Sequence, residues 1–407
     1  MIPPARGALL GRLLLLSLVF SLPLAVLPGA NDYVMRPKMA AALIGAIAVA
    51  GFALARGNAV WPAGHPASLP AACWLLASAV AAAGAVNRWQ AARLAWQAAG
   101  WLALFGAAAA VRVESGRMIG VVALSVAVQI AVAVAQLSGR WIVGHGELFG
   151  PGRIYATHGN PSFFGPYLAP VAVLLLAGLL FNLARLRRAA DLWPAPVLFA
   201  VLFMLYKSGV IDAWAGLAVG GAAAVWLASR GSRPWLLGGG AVLVLAGGVA
   251  LQLLTARASD RLDYLKVKAF SWHAAAWMWR DRPLLGAGPG GFQTGAPDVM
   301  ARVHAQWTRV WRIPETFVAP HDEAFAHNDI LQMLAETGVL GFGAWCWLVA
   351  TAARLGARGL ARGDRSRAAW LGALAAFVPT MLFHFPLHLA ACATIFWVAL
   401  GIAAGTA

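Results

Sequence analysis

Apolar runs of near twenty residues recur from one end of this 407-residue chain to the other. A run of that length is what an α-helix needs to cross a hydrocarbon core about 30 Å thick. In lipid the backbone must satisfy its own hydrogen bonds, so the runs read as helices; the alternating pattern of a barrel wall is missing. Composition agrees: 61% of the residues are hydrophobic and 11% charged, where a soluble domain carries roughly a quarter charged. The expected fold is an all-α polytopic membrane protein of about twelve transmembrane helices, near 8–28, 38–55, 67–86, 93–111, 117–138, 161–181, 193–206, 211–228, 234–254, 332–353, 367–383 and 388–405. The chain then divides into an N-terminal bundle of about nine spans (1–254), one long extramembrane loop (255–327) and about three C-terminal spans (328–407).

Charge sets the orientation. With the N-terminus inside, fifteen Lys and Arg fall in inside segments, seven in short outside segments and nine in the long loop, out of 31. Fifteen against seven places both termini in the cytoplasm and the long loop outside. The net charge of +16 is then largely a topology signal. Basic residues scattered between spans do not make a nucleic-acid footprint. Arg6 and Arg12 before an apolar run resemble a signal peptide, but the run is long, and removing it would invert the charge count; it is expected to be retained. Cys73, Cys346 and Cys392 all fall within apolar runs and read as buried small hydrophobes, not as a disulfide framework or zinc site.

Polar residues concentrate in three places. "GPGRIYATHGNPSFFGPYLAP" (150–170) carries Arg153, His158 and Asn160 among Pro161, Pro166 and Pro170. Either the prolines break a helix beside a water-filled cavity, or Pro161 starts an ordinary one. In the long loop, Ser259 is placed to cap a helix through a Trp-rich stretch. Trp272, Trp277, Trp279, Trp307 and Trp311 suit a helix lying at the membrane interface. The glycines of "RDRPLLGAGPGGF" read as a tight turn; a dinucleotide loop would need a strand before them and a helix after, and neither is expected. Finally, "AHNDILQMLAETGVLGF" (326–342) opens with His327, Asn328 and Asp329 and places Glu336 inside an apolar run. An intramembrane carboxylate is costly and marks function by default; an arginine is its expected partner.

The last two motifs together resemble the signature of the O-antigen ligase and polymerase superfamily, and "GRIYATHGNPSFFGPYL" is similar to that family's upstream Arg and Gly-Asn-Pro segment. The three occur in the family's order and cover 150–341. The resemblance implies a GT-C-like, metal-independent, inverting glycosyltransferase without a cofactor. It would act at the periplasmic face of a bacterial inner membrane, with 255–327 as its large periplasmic loop. The implied donor is an undecaprenyl pyrophosphate-linked glycan. The acceptor is a lipid A-core sugar, the growing glycan itself or a protein Ser/Thr. One departure stands out. Where the family often has Ser-Arg at the start of a middle span, "LYKSGVIDAWAGL" has Lys207 before Ser208 and Gly209 after it. Lys207 supplies positive charge without the fork of an arginine, and Asp212 nearby is placed to pair with it.

The chemistry assigns roles. A glycosyl pyrophosphate needs its charge neutralised, which suits Arg153, Lys207 and Arg280. His327 is the candidate general base, because imidazole exchanges protons near neutral pH. Asn328 is placed to cap the following helix and, with His158, Asn160 and Glu336, to line the substrate site. His384 and His388 are four apart with Pro386 between them, which disfavours a metal pair. His321, Asp322 and Glu323 lack a zinc-protease spacing, and His65, His145, His273 and His304 are expected to be solvated. The sequence ends directly after its last expected span, an arrangement that disfavours a protein acceptor. A transporter of the lipid-linked glycan would call for an inverted repeat of broken helices, which the sequence does not show.

Overall fold

The computed structural model describes residues 4–27, 32, 34–54, 64–111, 113–143, 152–183, 188–229, 247, 258–311 and 324–405. Among them every regular element is a helix. In chain order these are α1 (Pro4–Ser21), α2 (Met35–Leu54), α3 (Ser68–Ala83), α4 (Arg88–Ala110), α5 (Ser115–Leu137), α6 (Pro161–Leu183), α7 (Pro194–Ser208), α8 (Ile211–Ala228), α9 (Ala258–Asp281), α10 (Gly291–Trp311), α11 (Asp329–Ala361), α12 (Arg367–Phe383) and α13 (Ala390–Ala404). Five segments among the described residues are long and apolar enough to cross a membrane: Ser115–Leu137, Pro161–Leu183, Ala189–Ser208, Ile211–Ala228 and Asp329–Ala361. Four shorter apolar helices, Leu9–Leu24, Ser68–Ala83, Arg367–Phe383 and Ala390–Ala404, accompany them. The span expected at 234–254 lies outside the described residues, apart from Gly247.

Two packing features position the site. The first is an antiparallel seam between α8 and α12. A methyl on Gly216 would meet the Ala376 carbonyl at 2.5 Å, and one on Gly220 would meet the Gly372 carbonyl at 2.6 Å. Only backbones without side chains come this close, the usual device of membrane helices. The seam runs Gly220 to Gly372 and Gly216 to Ala376, so the start of α8 meets the end of α12. The second is α6, the buried centre of the bundle, where Phe164, Tyr167, Leu168 and Val171 through Leu175 are fully buried. It starts at Pro161 and continues through Pro166 and Pro170. Of the two readings of that segment, the ordinary helix start is the one observed.

The broken helix lies elsewhere. α11 is interrupted at Gly338, at φ 61° and ψ −169°, a region favourable only for glycine. There the glycine turn after α9 docks on it backbone to backbone. Ala287 and Gly288 N–H donate to the carbonyls of Ala335 and Glu336, both at 2.8 Å, and Val339 N–H donates to the Pro283 carbonyl at 2.9 Å. The turn expected from "GAGPGGF" is therefore present, with Gly286, Gly288 and Gly290 all at positive φ. The expectation that no helix follows it is corrected: α10 begins at Gly291, because the positive-φ glycines end one helix and release the chain into the next. α9 begins at Ala258, one residue before the Ser259 expected to cap it. α9 and α10 pack on each other through Phe270, Ala274, Met278, Phe292 and Met300.

Candidate functional site

The last motif enters α11 through a strained residue. His327 has φ +52°, uncommon for a residue with a side chain. Its carbonyl accepts from the Trp272 indole at 3.1 Å, and its ring stands edge-on to Phe385, with centroids 5.1 Å apart. Asn328 caps α11 as expected, its side-chain oxygen accepting from Leu331 N–H at 2.9 Å. Its amide nitrogen donates to the Leu382 carbonyl at 3.0 Å and ties the cap to the end of α12.

Two His–Asp pairs surround this entry, and neither was expected from the sequence. In one, His384 Nε2 lies 3.1 Å from Asp212 Oδ1. The seam explains it, because antiparallel contact at Gly216 and Gly220 brings the first turn of α8 to the residue after α12. Asp212 thus pairs with His384, not with Lys207. The His384 ring lies 6.4 Å from that of His327. Among the described residues, His384 Nδ1 and Asp212 Oδ2 are buried without a hydrogen-bond partner. Burial pulls His384 below the ordinary imidazole value, with Asp212 partly offsetting it. Lys268, buried on α9, donates to the Phe383 carbonyl. Burial lowers its ammonium to about 8, against the opposing pull of Asp212.

In the other pair, Asp329 is fully buried. Its Oδ1 lies 2.8 Å from His388 Nδ1, and its Oδ2 accepts from Leu387 N–H at 3.0 Å. Gln332 fixes the tautomer. Its Oε1 accepts from Ala326 N–H at 2.9 Å, so its amide nitrogen is left to face Glu336 Oε1 at 3.1 Å and His388 Nε2 at 3.3 Å. A nitrogen that receives a bond carries no proton, so a neutral His388 holds its proton on Nδ1, toward Asp329.

Glu336 was expected beside an arginine. Instead its carboxylate accepts from the Gln332 amide at 3.1 Å and lies near the backbone N–H groups of Gly290 and Phe292. These are the first N–H groups of α10, where a helix favours negative charge. Residues 46 positions apart meet here because the glycine turn docks on the break in α11.

Arg153 and Lys207 are brought together. Arg153 donates through Nε and a terminal nitrogen to the Ser208 carbonyl, at 3.1 and 2.9 Å, and so caps α7. A methyl on Gly152 would lie 3.7 Å from Lys207 Nζ. Both cations sit at the α7–α8 turn, within a few residues of Asp212. Other expected residues are elsewhere. His158 is buried in the core, 2.7 Å from the Gln129 side-chain oxygen and packed on Phe164 and Tyr167. Burial, with Lys38 nearby, holds its imidazole well below the usual value. Asn160 serves the start of α6, its side chain accepting from Ser162 N–H at 2.8 Å. Arg280 is 65% exposed, pairs with Asp281 and stacks on Trp277. His65, expected in solvent, is buried between Ala67 N–H and the Ala404 carbonyl, and His273 accepts from the Trp307 indole at 2.9 Å. His145, His321, Asp322 and Glu323 lie outside the described residues. Among the described residues no group of three or more His, Cys, Asp or Glu is arranged to hold a metal.

The chemistry on offer is proton exchange at an imidazole, with two cations at the α7–α8 turn and two His–Asp pairs beside the helix entry. No protein-family model matches the chain, and no curated protein matches it.

Proposed function

We propose that this protein is a membrane glycosyltransferase of the O-antigen ligase kind. It moves a glycan from undecaprenyl pyrophosphate to a lipid A-core sugar at the periplasmic face of a bacterial inner membrane. The observation that carries this reading is the convergence of the three quoted motifs. The glycine turn docks on the break in α11, His327 stands at the head of that helix beside Asp212–His384, and Arg153, with Lys207 close by, caps the adjoining α7–α8 turn. The acceptor hydroxyl attacks the anomeric carbon as its proton passes to the His327 ring. The bond from that carbon to the pyrophosphate oxygen breaks, its electron pair leaves with undecaprenyl pyrophosphate, and the anomeric centre inverts. Arg153 and Lys207 neutralise the leaving pyrophosphate. Growing glycan or protein as acceptor, and transport without chemistry, are the competing readings.

Glycan profiling of a deletion strain separates them. Bare core with lipid-linked long chains accumulating is the ligase outcome, and single repeats on the core mark a polymerase. In the purified enzyme, His327→Ala should bind donor while turnover falls by about 10² or more, the scale of a positioned base. His327→Gln bonds but takes no proton; near-full activity in that variant would remove His327 from the chemistry.

A further inference from the structure

A cavity lies at the other end of the bundle. α12 holds 17 residues, about 25 Å of helix at 1.5 Å per residue, and the end away from His384 borders a cavity of about 1170 Å³. One wall is apolar: Leu9, Leu13 and Leu16 fall at i, i+4 and i+7 of α1, so they share one helical face. The other wall is charged, with Arg12, Arg117, Arg365 and Arg367 against Glu114 and Asp364. Arg367 is committed to the fold: it meets Asp364 at 2.8 Å and the carbonyls of Ala403 and Gly405 at 2.5 and 2.6 Å. Arg117 meets Glu114 at 3.1 Å, but both side chains are 71% exposed, and such a pair is weak and easily re-formed with another anion. Arg12 makes one long bond, 3.4 Å, to the Val111 carbonyl. With both carboxylates matched, two arginine charges are left over. The floor is fixed by a chain of bonds, Trp370 indole to Ser115 hydroxyl to Ser366 hydroxyl to Asp364, at 3.0, 3.0 and 2.6 Å.

We propose that this cavity binds an anionic lipid, its phosphate held by Arg12, Arg117 and Arg365 and one acyl chain lying along Leu9, Leu13 and Leu16. The juxtaposition selects the occupant. Surplus positive charge favours a headgroup of net negative charge, and a zwitterionic headgroup brings a cation of its own that the arginines repel. Free phosphate gives the leucine stripe nothing to cover. The two sites sit at opposite ends of the same helices, so the lipid belongs to the leaflet away from the His–Asp pairs. The inference does not rest on the glycosyl-transfer reading.

The test uses the full chain purified in detergent, with lipid binding read by native mass spectrometry. Dioleoyl phosphatidylglycerol should bind about tenfold more tightly than dioleoyl phosphatidylcholine, the scale of one charge-assisted bond. R12Q with R365Q should abolish that preference, and L13N should weaken the anionic lipid in the wild-type arginine background. Should the double variant fail to fold, R12K with R365K should retain the preference, and in the wild type high salt should shrink it. Inorganic phosphate should not displace the bound lipid. Equal affinity for the two lipids, an unchanged preference in folded R12Q/R365Q, or displacement by inorganic phosphate would overturn the proposal.

Discussion

Asp329 is where the site and the stability of the fold meet. Its two oxygens serve different donors, Nδ1 of His388 at 2.8 Å and the N–H of Leu387 at 3.0 Å, and it is fully buried. Asp329→Ala leaves both donors, on the half-buried residues Leu387 and His388, without that acceptor. At about 1–3 kcal/mol for each group left unsatisfied away from water, the cost is at most about 2–6 kcal/mol. Asp329→Asn is nearly the same size but offers one acceptor and one donor. Gln332 already donates to Nε2 of His388, which keeps the imidazole proton on Nδ1. Whichever way the new amide turns, its nitrogen faces a donor, so the expected cost is about 1–3 kcal/mol, half that of alanine. Denaturant unfolding of the purified protein in detergent, followed by tryptophan fluorescence, reads both. The order should be wild type, Asn, Ala. Alanine within about 0.5 kcal/mol of wild type, the range of an ordinary surface change, or Asn less stable than Ala would refute the assigned bonding.

Two further outcomes follow from the site. Arg153→Ala should abolish activity while lowering stability only modestly, since Ser208 loses a cap, and Arg153→Lys should restore part of the activity because the fork is gone; wild-type activity in Lys207→Ala would show that Lys207 does not share the anion. On the pH side, burial makes His158 and His384 harder to protonate in the fold than in the unfolded chain, which takes protons below about pH 6.5. The stability they contribute is therefore present above that pH and lost as pH falls through it. Thermal unfolding midpoints between pH 8 and 5 should decline on the acid side, and less steeply in His158→Phe.

What could be read from the chain followed contiguity. Asn328 as a cap needs only its own neighbours, and the bond to Leu331 N–H is there. The glycine turn likewise announces itself, since only glycine holds φ values of +68°, +91° and +73° in close succession. Asp212 and His384 are a different case, 172 residues apart, and their pairing depends on which two helices share a small-residue seam. Nothing in "FHFPLH" or "VIDAWAG" alone points to the other. Glu336 was legible as an expensive carboxylate in an apolar run, but its partner is the Gln332 amide one turn earlier, and what it faces beyond that is main-chain N–H, which every residue but proline carries and no motif marks. His158 misled for the opposite reason: a polar residue beside prolines reads as a loop, and here the loop folds back so that the ring is buried against Tyr167.

The seam between α8 and α12 also governs what can move. At Gly216 and Gly220 backbone rests on backbone so closely that an added methyl would meet a carbonyl at 2.5 to 2.6 Å, so the fit itself sets the register of the two helices. A slip of one helical turn, about 5.4 Å, would carry Asp212 out of reach of His384, so the pairing depends on this register. α11 is built differently. Its interruption at Gly338 splits it into a short entry segment, Asp329 to Thr337, which follows His327 and its cap, and a longer shaft beyond. Because the glycine turn is bonded to the backbone on both sides of that break, the helix entry, the turn and the start of α10 form one unit, and displacing any of them breaks those bonds.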